Sequence, residues 1–99
     1  MPKMDAVVMK PTDNVCTVLR EVDPDAAIST VVDGETITVT VLEKIPFGHK
    51  FALEPIRSGA PIIKYGETIG LATKDIQTGQ HVHVHNLESR RGRGDKAGD

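Results

Sequence analysis

A short unit recurs three times in the second half of this chain, and it leaves the fold little freedom. Ile45-Pro-Phe-Gly48 leads into His49-Lys50-Phe51, Ile56-Arg-Ser-Gly59 into Ala60-Pro61-Ile62, and Ile76-Gln-Thr-Gly79 into Gln80-His81-Val82. Each unit reads isoleucine, two residues, glycine, two residues, apolar residue. The spacing predicts a single helical or 3₁₀ turn closed by a glycine at positive φ, then a strand. The isoleucine plugs the core and the glycine redirects the chain. Three such units predict a compact, mainly β protein with short helical turns and no room for long helices.

The first half reads in the same way. Residues 6–9 form an apolar run that suits a first strand, and Pro11-Thr-Asp-Asn14 has the residue types of a turn. Residues 15–19 are rich in β-branched side chains and suit a second strand. Asp23-Pro24-Asp25 punctuates the chain again. Residues 28–32 and 35–42 then flank Asp33-Gly34, a pair that tolerates the positive φ of a type I′ hairpin turn. In the second arm Ile37, Val39 and Val41 alternate with Thr36, Thr38 and Thr40, so a strand there has one apolar face and one threonine face. Ile62-Ile63 reads as a buried strand, and Gly66 and Gly70 flank a further turn at Glu67-Thr-Ile69. Residues 89–99 carry no large apolar side chain and read as a disordered tail, which sets the domain at residues 1–88.

Ninety-nine residues make one domain with one modest core, so the chain is better suited to be part of an active site than the whole of one. The net charge of −2 argues against a nucleic-acid partner, which calls for a basic stripe. Three aromatic residues, Tyr65, Phe47 and Phe51, do not make a base-stacking platform. The single cysteine, Cys16, makes no internal disulfide. No apolar run approaches the roughly 20 residues that span a bilayer, and no apolar stretch of secretory type follows Met1. The expectation is a soluble, cytoplasmic chain with no membrane partner.

His81-Val82-His83-Val84-His85 holds three of the four histidines. On a strand, that spacing points all three imidazoles to one face and both valines to the core, with successive histidines roughly 7 Å apart. Two such histidines can reach one metal ion, and three on a regular strand reach it less easily. A mononuclear site therefore calls for ligands from elsewhere, with His49 as one candidate. Alternating exposed histidines are also found on ordinary solvated strand faces. Three in register favour a functional role. Lys64-Tyr65-Gly66 could hold a carboxylate and a hydroxyl, although alone it reads as a snorkelling lysine beside a half-buried tyrosine. His49-Lys50 could be an acid/base pair or an anion site, although alone it reads as a solvated turn. Asp13-Asn14 reads as a turn cap.

Taken in order, these segments resemble a known family. Asp13-Asn14-Val15, Gly48-His49-Lys50-Phe51-Ala52, Ile63-Lys64-Tyr65-Gly66, Ile69-Gly70 and the run from Gly79 to Asn86 are similar to the N-terminal domain of altronate dehydratase, of galactarate dehydratase, and to the small subunit of sulfolactate sulfo-lyase. The resemblance covers residues 13–88 and implies a small SAF-type domain of β-clip fold. It implies a β-elimination shared with a larger catalytic subunit. A proton leaves the carbon beside a carboxylate, and water leaves the next carbon to give a 2-keto-3-deoxy acid; in the sulfo-lyase branch sulfite leaves instead.

That chemistry needs a base, an acid and an electrophile. The resemblance implies a divalent metal, iron(II), as the electrophile. His81, His83 and His85 are the expected metal ligands. His83, His85 and His49 are the expected catalytic residues. Lys50, Lys64, Tyr65 and Asn86 are the expected contacts to a sugar-acid or sulfolactate substrate, with Asn86 also able to orient a histidine. Because the chain stops after the small domain, the separate-subunit arrangement is expected, with homo-oligomerisation left open. Two readings of other classes remain: a non-catalytic carbohydrate- or protein-binding module, and a stand-alone metal-binding protein.

Overall fold

The computed structural model describes residues 5–89, and they form nine short strands and no helix. In chain order these are β1 (Ala6–Val7), β2 (Val15–Val18), β3 (Ala27–Val32), β4 (Glu35–Thr40), β5 (Lys50–Ala52), β6 (Pro61–Lys64), β7 (Glu67–Ala72), β8 (His81–Val82) and β9 (Leu87–Ser89). All pairings are antiparallel. They give a four-stranded sheet in the order β1-β2-β5-β8, a β3-β4 hairpin, and a three-stranded sheet in the order β6-β7-β9. The fold is mainly β.

The recurring unit is a β-turn rather than a helical turn. His49 N–H donates to the Pro46 carbonyl, Ala60 N–H to Arg57 and Gln80 N–H to Gln77, at 2.9, 2.9 and 3.0 Å. Each turn carries its glycine in third position at φ 82°, 87° and 86° (Gly48, Gly59, Gly79), the φ of a type II turn. A fourth copy occurs at Asp23–Ala26, closed at 3.2 Å, where Asp25 takes the glycine's place at φ 70°. The apolar residue before each turn is buried and bridges to its counterpart: Val22 to Ile45, and Ile56 to Ile76.

These bridged pairs anchor two cores. Ala6, Cys16, Val18 and Phe51 pack with Val22, Ile28, Val39, Val41 and Ile45. Val15, Ala52 and Val82 pack with Ile56, Ile62, Ala72 and Ile76. Alternate residues of β2 and β5 enter opposite cores, so the four-stranded sheet is buried on both faces. Burial pushes the Cys16 thiol up to about 12, and a hydrogen bond with Thr30 only partly offsets this. Cys16 is an inert core residue.

Two tight hairpins differ in how visible they were. Asp33 (φ 52°) and Gly34 (φ 81°) make the expected type I′ turn. Tyr65 (φ 59°) and Gly66 (φ 74°) make a second one. The residues expected to turn, 67–69, instead begin strand β7. Gly70 lies within that strand because β9 crosses it closely: a Cβ there would stand 2.5 Å from the Glu88 carbonyl oxygen. Asp13 does more than cap its own turn. Its buried carboxylate accepts N–H groups from Lys10 (3.2 Å), Tyr65 (3.1 Å) and Gly66 (2.8 Å). Asn14 beside it donates to the Pro61 carbonyl at 3.0 Å and accepts from Ile63 N–H at 2.8 Å. Together they fix the β6–β7 hairpin, and with it Lys64 and Tyr65, against the four-stranded sheet. Ser89, expected to open the tail, ends β9; residues 90–99 of that tail lie outside the described residues.

Candidate metal centre

All four histidines converge, and strand register is what brings them together. β5 and β8 pair with Lys50 opposite Val82 and Phe51 opposite His81. Continued by one residue, that register sets His49 opposite His83. Their rings stack with centroids 4.1 Å apart and planes at 18°. His81 joins from within β8: its Nε2 lies 2.9 Å from His49 Nδ1, so one of these two imidazoles donates to the other. The His81 ring is 5.6 Å from that of His83 and 5.1 Å from that of His85, the latter tilted by 46°.

The histidine run is not one strand. β8 ends at Val82, which is buried, and residues 83–86 form a turn that leaves Val84 79% exposed. The expected second core valine therefore faces solvent. Asn86 holds this turn. Its backbone N–H donates to the His83 carbonyl (3.0 Å), its Oδ1 accepts from His83 N–H (3.0 Å), and its Nδ2 donates to the His81 carbonyl (2.8 Å). The side chain is fully buried and both polar ends are engaged by backbone, so Asn86 positions the histidines. Replacing it with alanine strands a buried donor and a buried acceptor, and we expect a loss of about 2 kcal/mol in stability, measured by urea unfolding.

One group was missed from sequence. The Glu43 carboxylate accepts the backbone N–H of His81 at 3.1 Å and places negative charge beside that imidazole. Nothing in the local pattern around Leu42-Glu43 marks it, because the contact spans 38 positions. Lys50 is half-buried on β5. Burial and then the like charge of Lys64 hold its ammonium below the usual lysine value. Lys64 sits at the end of β6 with Nζ 4.8 Å from the centre of the Tyr65 ring.

His81 and His83 are shifted toward the neutral form. Burial, then the nearby His85 and His49, push His81 down to about 4 despite the opposing effect of Glu43. Burial first, then His49, Lys50 and His85, also lower His83. An unfolded chain takes up a proton at residue 81 below about pH 6.5, whereas the folded chain refuses it until about pH 4. More protons are then bound unfolded than folded, so the metal-free protein loses stability as pH falls through that window. His81→Gln is expected to flatten the decline, measured as urea midpoints between pH 7 and pH 4.

His49, His81 and His83 each offer a ring nitrogen, and these nitrogens all lie within 4.8 Å of one another. A tetrahedral shell with bonds of 2.0–2.1 Å spaces its ligand atoms by roughly 3.4 Å, so modest ring rotation closes the difference. Three imidazoles without a thiolate suit zinc, iron, copper or nickel. The residues present therefore fit a divalent ion. His85 stands outside this group of three.

Residues 4–90 match the family described as the altronate/galactarate dehydratase SAF domain. The chain is similar to the altronate dehydratase of Escherichia coli, 43% identical over 86 residues, which cover 87% of this chain and 17% of that protein. It is similar to the altronate dehydratase of Bacillus subtilis, 36% identical over 77 residues, 78% of this chain and 15% of that protein. It is also similar to the (2R)-sulfolactate sulfo-lyase subunit alpha of Paracoccus pantotrophus, 41% identical over 59 residues, which cover 60% of this chain and 88% of that subunit. The chain thus spans about a sixth of the altronate dehydratases it matches.

Proposed function

Because the chain belongs to the altronate/galactarate dehydratase SAF-domain family, we propose that it is the small, histidine-bearing unit of a lyase that removes water from a sugar acid together with a larger catalytic unit. The observation that carries this reading is the convergence of His49, His81 and His83, from strand β8 and the turns before β5 and after β8, onto one point. A divalent metal there, iron(II) by the family resemblance, supplies positive charge where the substrate carboxylate gains negative charge.

The chain's own residues do the rest. Burial, and then the charges of neighbouring groups, lower the pKa of His81 and His83 and favour the neutral form that ligates a metal. Asn86 and Glu43 fix the backbone of His81 and, through Asn86, that of His83. His85, outside the ligand group but against His81, is the candidate for proton transfer. Overall, a proton leaves the carbon beside the carboxylate, hydroxide leaves the next carbon, and the enol product becomes a 2-keto-3-deoxy acid.

A second reading within the same chemistry is sulfite release from sulfolactate. It is supported by the match that covers 88% of a sulfo-lyase alpha subunit. The deciding experiment combines the chain with candidate larger units and ferrous iron, and supplies altronate, galactarate and sulfolactate in turn. Keto-acid formation from a sugar acid supports the dehydratase, and sulfite supports the sulfo-lyase. Folded, iron-loaded protein that yields neither product with any combination overturns the proposal.

A further inference from the structure

We propose that strand β4 is a pairing edge for a second copy of this chain: two β4 strands run antiparallel about a two-fold axis at Ile37 and join their β3-β4 hairpins into one continuous sheet. Pairing of this kind is independent of the lyase reading and of any metal.

Strand edges that face solvent are normally guarded by shortness, proline, charge, a bulge or a covering group. The other edges among the described residues carry such guards. The outer strands of the four-stranded sheet, β1 and β8, are each two residues long. β9 has three residues, one of them Glu88. β6 opens with Pro61, bulges between Ile62 and Ile63, and is covered by Asn14, which bonds Pro61 and Ile63. The outer side of β3 is met by Asp5, whose N–H donates to the Ser29 carbonyl (3.1 Å) and whose carboxylate accepts Ser29 N–H (3.4 Å). β4 differs from all of these. It has six residues in unbroken register with β3, no proline, no lysine or arginine, and every residue but Val39 is exposed.

The register decides which backbone groups are on offer. The two-residue turn at Asp33-Gly34 makes Val32 and Glu35 a hydrogen-bonded pair. Glu35, Ile37 and Val39 therefore direct their N–H and C=O groups at β3, while Thr36, Thr38 and Thr40 direct theirs outward. Leu42 continues the outward series and donates to the Gly79 carbonyl at 2.9 Å, and the Thr40 carbonyl also lies against Gly79. The open edge is thus Thr36 to Thr38. An axis at Thr38 needs Thr40, which Gly79 covers, and an axis at Thr36 runs into Gly34 in the turn. The axis at Ile37 sets Thr36 opposite the partner's Thr38, and Thr38 opposite the partner's Thr36, each pair exchanging both N–H···O bonds.

Side chains select a second copy as the occupant. Ile37 lies on the apolar face of β4 with Val39 yet is 37% exposed, and across the axis it meets the partner's Ile37. Glu35 falls opposite the partner's Val39, so the two Glu35 carboxylates stand roughly 14 Å apart, four residues along a strand. No like charges are opposed. On the other face Thr36 and Thr38 meet across the axis, as Ser29 and Thr38 already do within the hairpin, Oγ to Oγ1 at 3.2 Å.

Sedimentation of the full chain from about 1 μM to about 1 mM, the range of weak to moderate association, is expected to show a monomer–dimer equilibrium. Ile37→Lys sets two ammoniums against each other at the axis and should weaken association by at least about tenfold with the circular dichroism spectrum unchanged. Mixing the Ile37→Lys and Ile37→Glu chains should restore it. Cross-linking reads the register. Paired residues at a non-hydrogen-bonded position have Cα atoms about 4.5 Å apart, within disulfide reach, so Ile37→Cys should link under mild oxidation. Glu35→Cys, at roughly 14 Å, should not. Cys16 is buried and adds no background. A parent that stays monomeric throughout, association unaltered by Ile37→Lys, or Glu35→Cys linking as readily as Ile37→Cys overturns the proposal.

Discussion

Replacing His49 with alanine is expected to lower the affinity of this chain for a divalent metal by more than about a hundredfold, while His85→Ala lowers it by less than about threefold. The magnitudes follow from ligand position. Loss of a residue that merely supports a ligand costs roughly 10–100-fold in metal affinity, so loss of one of three direct ligands exceeds that range and loss of a neighbour falls below it. His49 places Nδ1 2.9 Å from His81 Nε2 and belongs to the group whose ligand atoms lie within 4.8 Å. His85 is absent from that group, and its ring is tilted by 46° to its nearest histidine, His81. Competition against a chromophoric chelator measures both variants. The reverse ranking would place the ion on the 81-83-85 run and leave the β5 turn without a ligand.

Gly79→Ala is expected to destabilise the fold by about 3 kcal/mol or more, a fall of roughly 15 °C in melting temperature for a domain of this size. Two costs add. At φ 86° an L side chain is strained by about 1–2 kcal/mol. In addition, a Cβ at this position would overlap the Thr40 carbonyl oxygen and stand 3.2 Å from Val41 Cα, both backbone atoms that cannot swing aside. Gly79 is also a junction: its N–H donates to the Ala52 carbonyl (2.8 Å) and its carbonyl accepts from Leu42 N–H (2.9 Å). Moving it disturbs β5 and the start of β8 together, so metal affinity should fall with stability. Gly48→Ala is the control. It has the same sign of φ, 82°, but open space around the added carbon, so only the torsional cost of about 1–2 kcal/mol applies. Thermal melts of the two variants separate strain from overlap.

The contrast between those glycines shows where sequence reasoning carries and where it stops. Positive φ at Gly48, Gly59 and Gly79 was readable, because a glycine at a fixed interval between apolar residues has a local cause. The backbone of β4 lying against Gly79 was not, since that contact joins segments far apart in sequence. Asp23-Pro24-Asp25 was readable as a break but not as a fourth copy of the turn, because aspartate tolerates the left-handed region without advertising it as glycine does. Tyr65-Gly66 was not legible as a hairpin turn, since tyrosine at positive φ is disfavoured locally and is held there by Asp13, 52 positions away. The histidine alternation suggested one long strand. Two hydrogen bonds from the buried Asn86 side chain bend the chain after Val82 instead. His49 was visible as a candidate, yet its place opposite His83 depends on the β5–β8 register, a tertiary fact.

The central claim is that the histidine cluster takes part in lyase chemistry and is not simply a fold element. The most direct measurement is turnover of a sugar acid or sulfolactate by the chain assembled with the larger catalytic unit proposed for it, comparing the parent with a variant carrying His49→Ala, His81→Ala and His83→Ala. Product from the parent with ferrous iron, and a loss of turnover of at least about a thousandfold in a variant that still folds and assembles, is the predicted result. Equal turnover by the two assemblies would contradict the account and leave this domain outside the reaction.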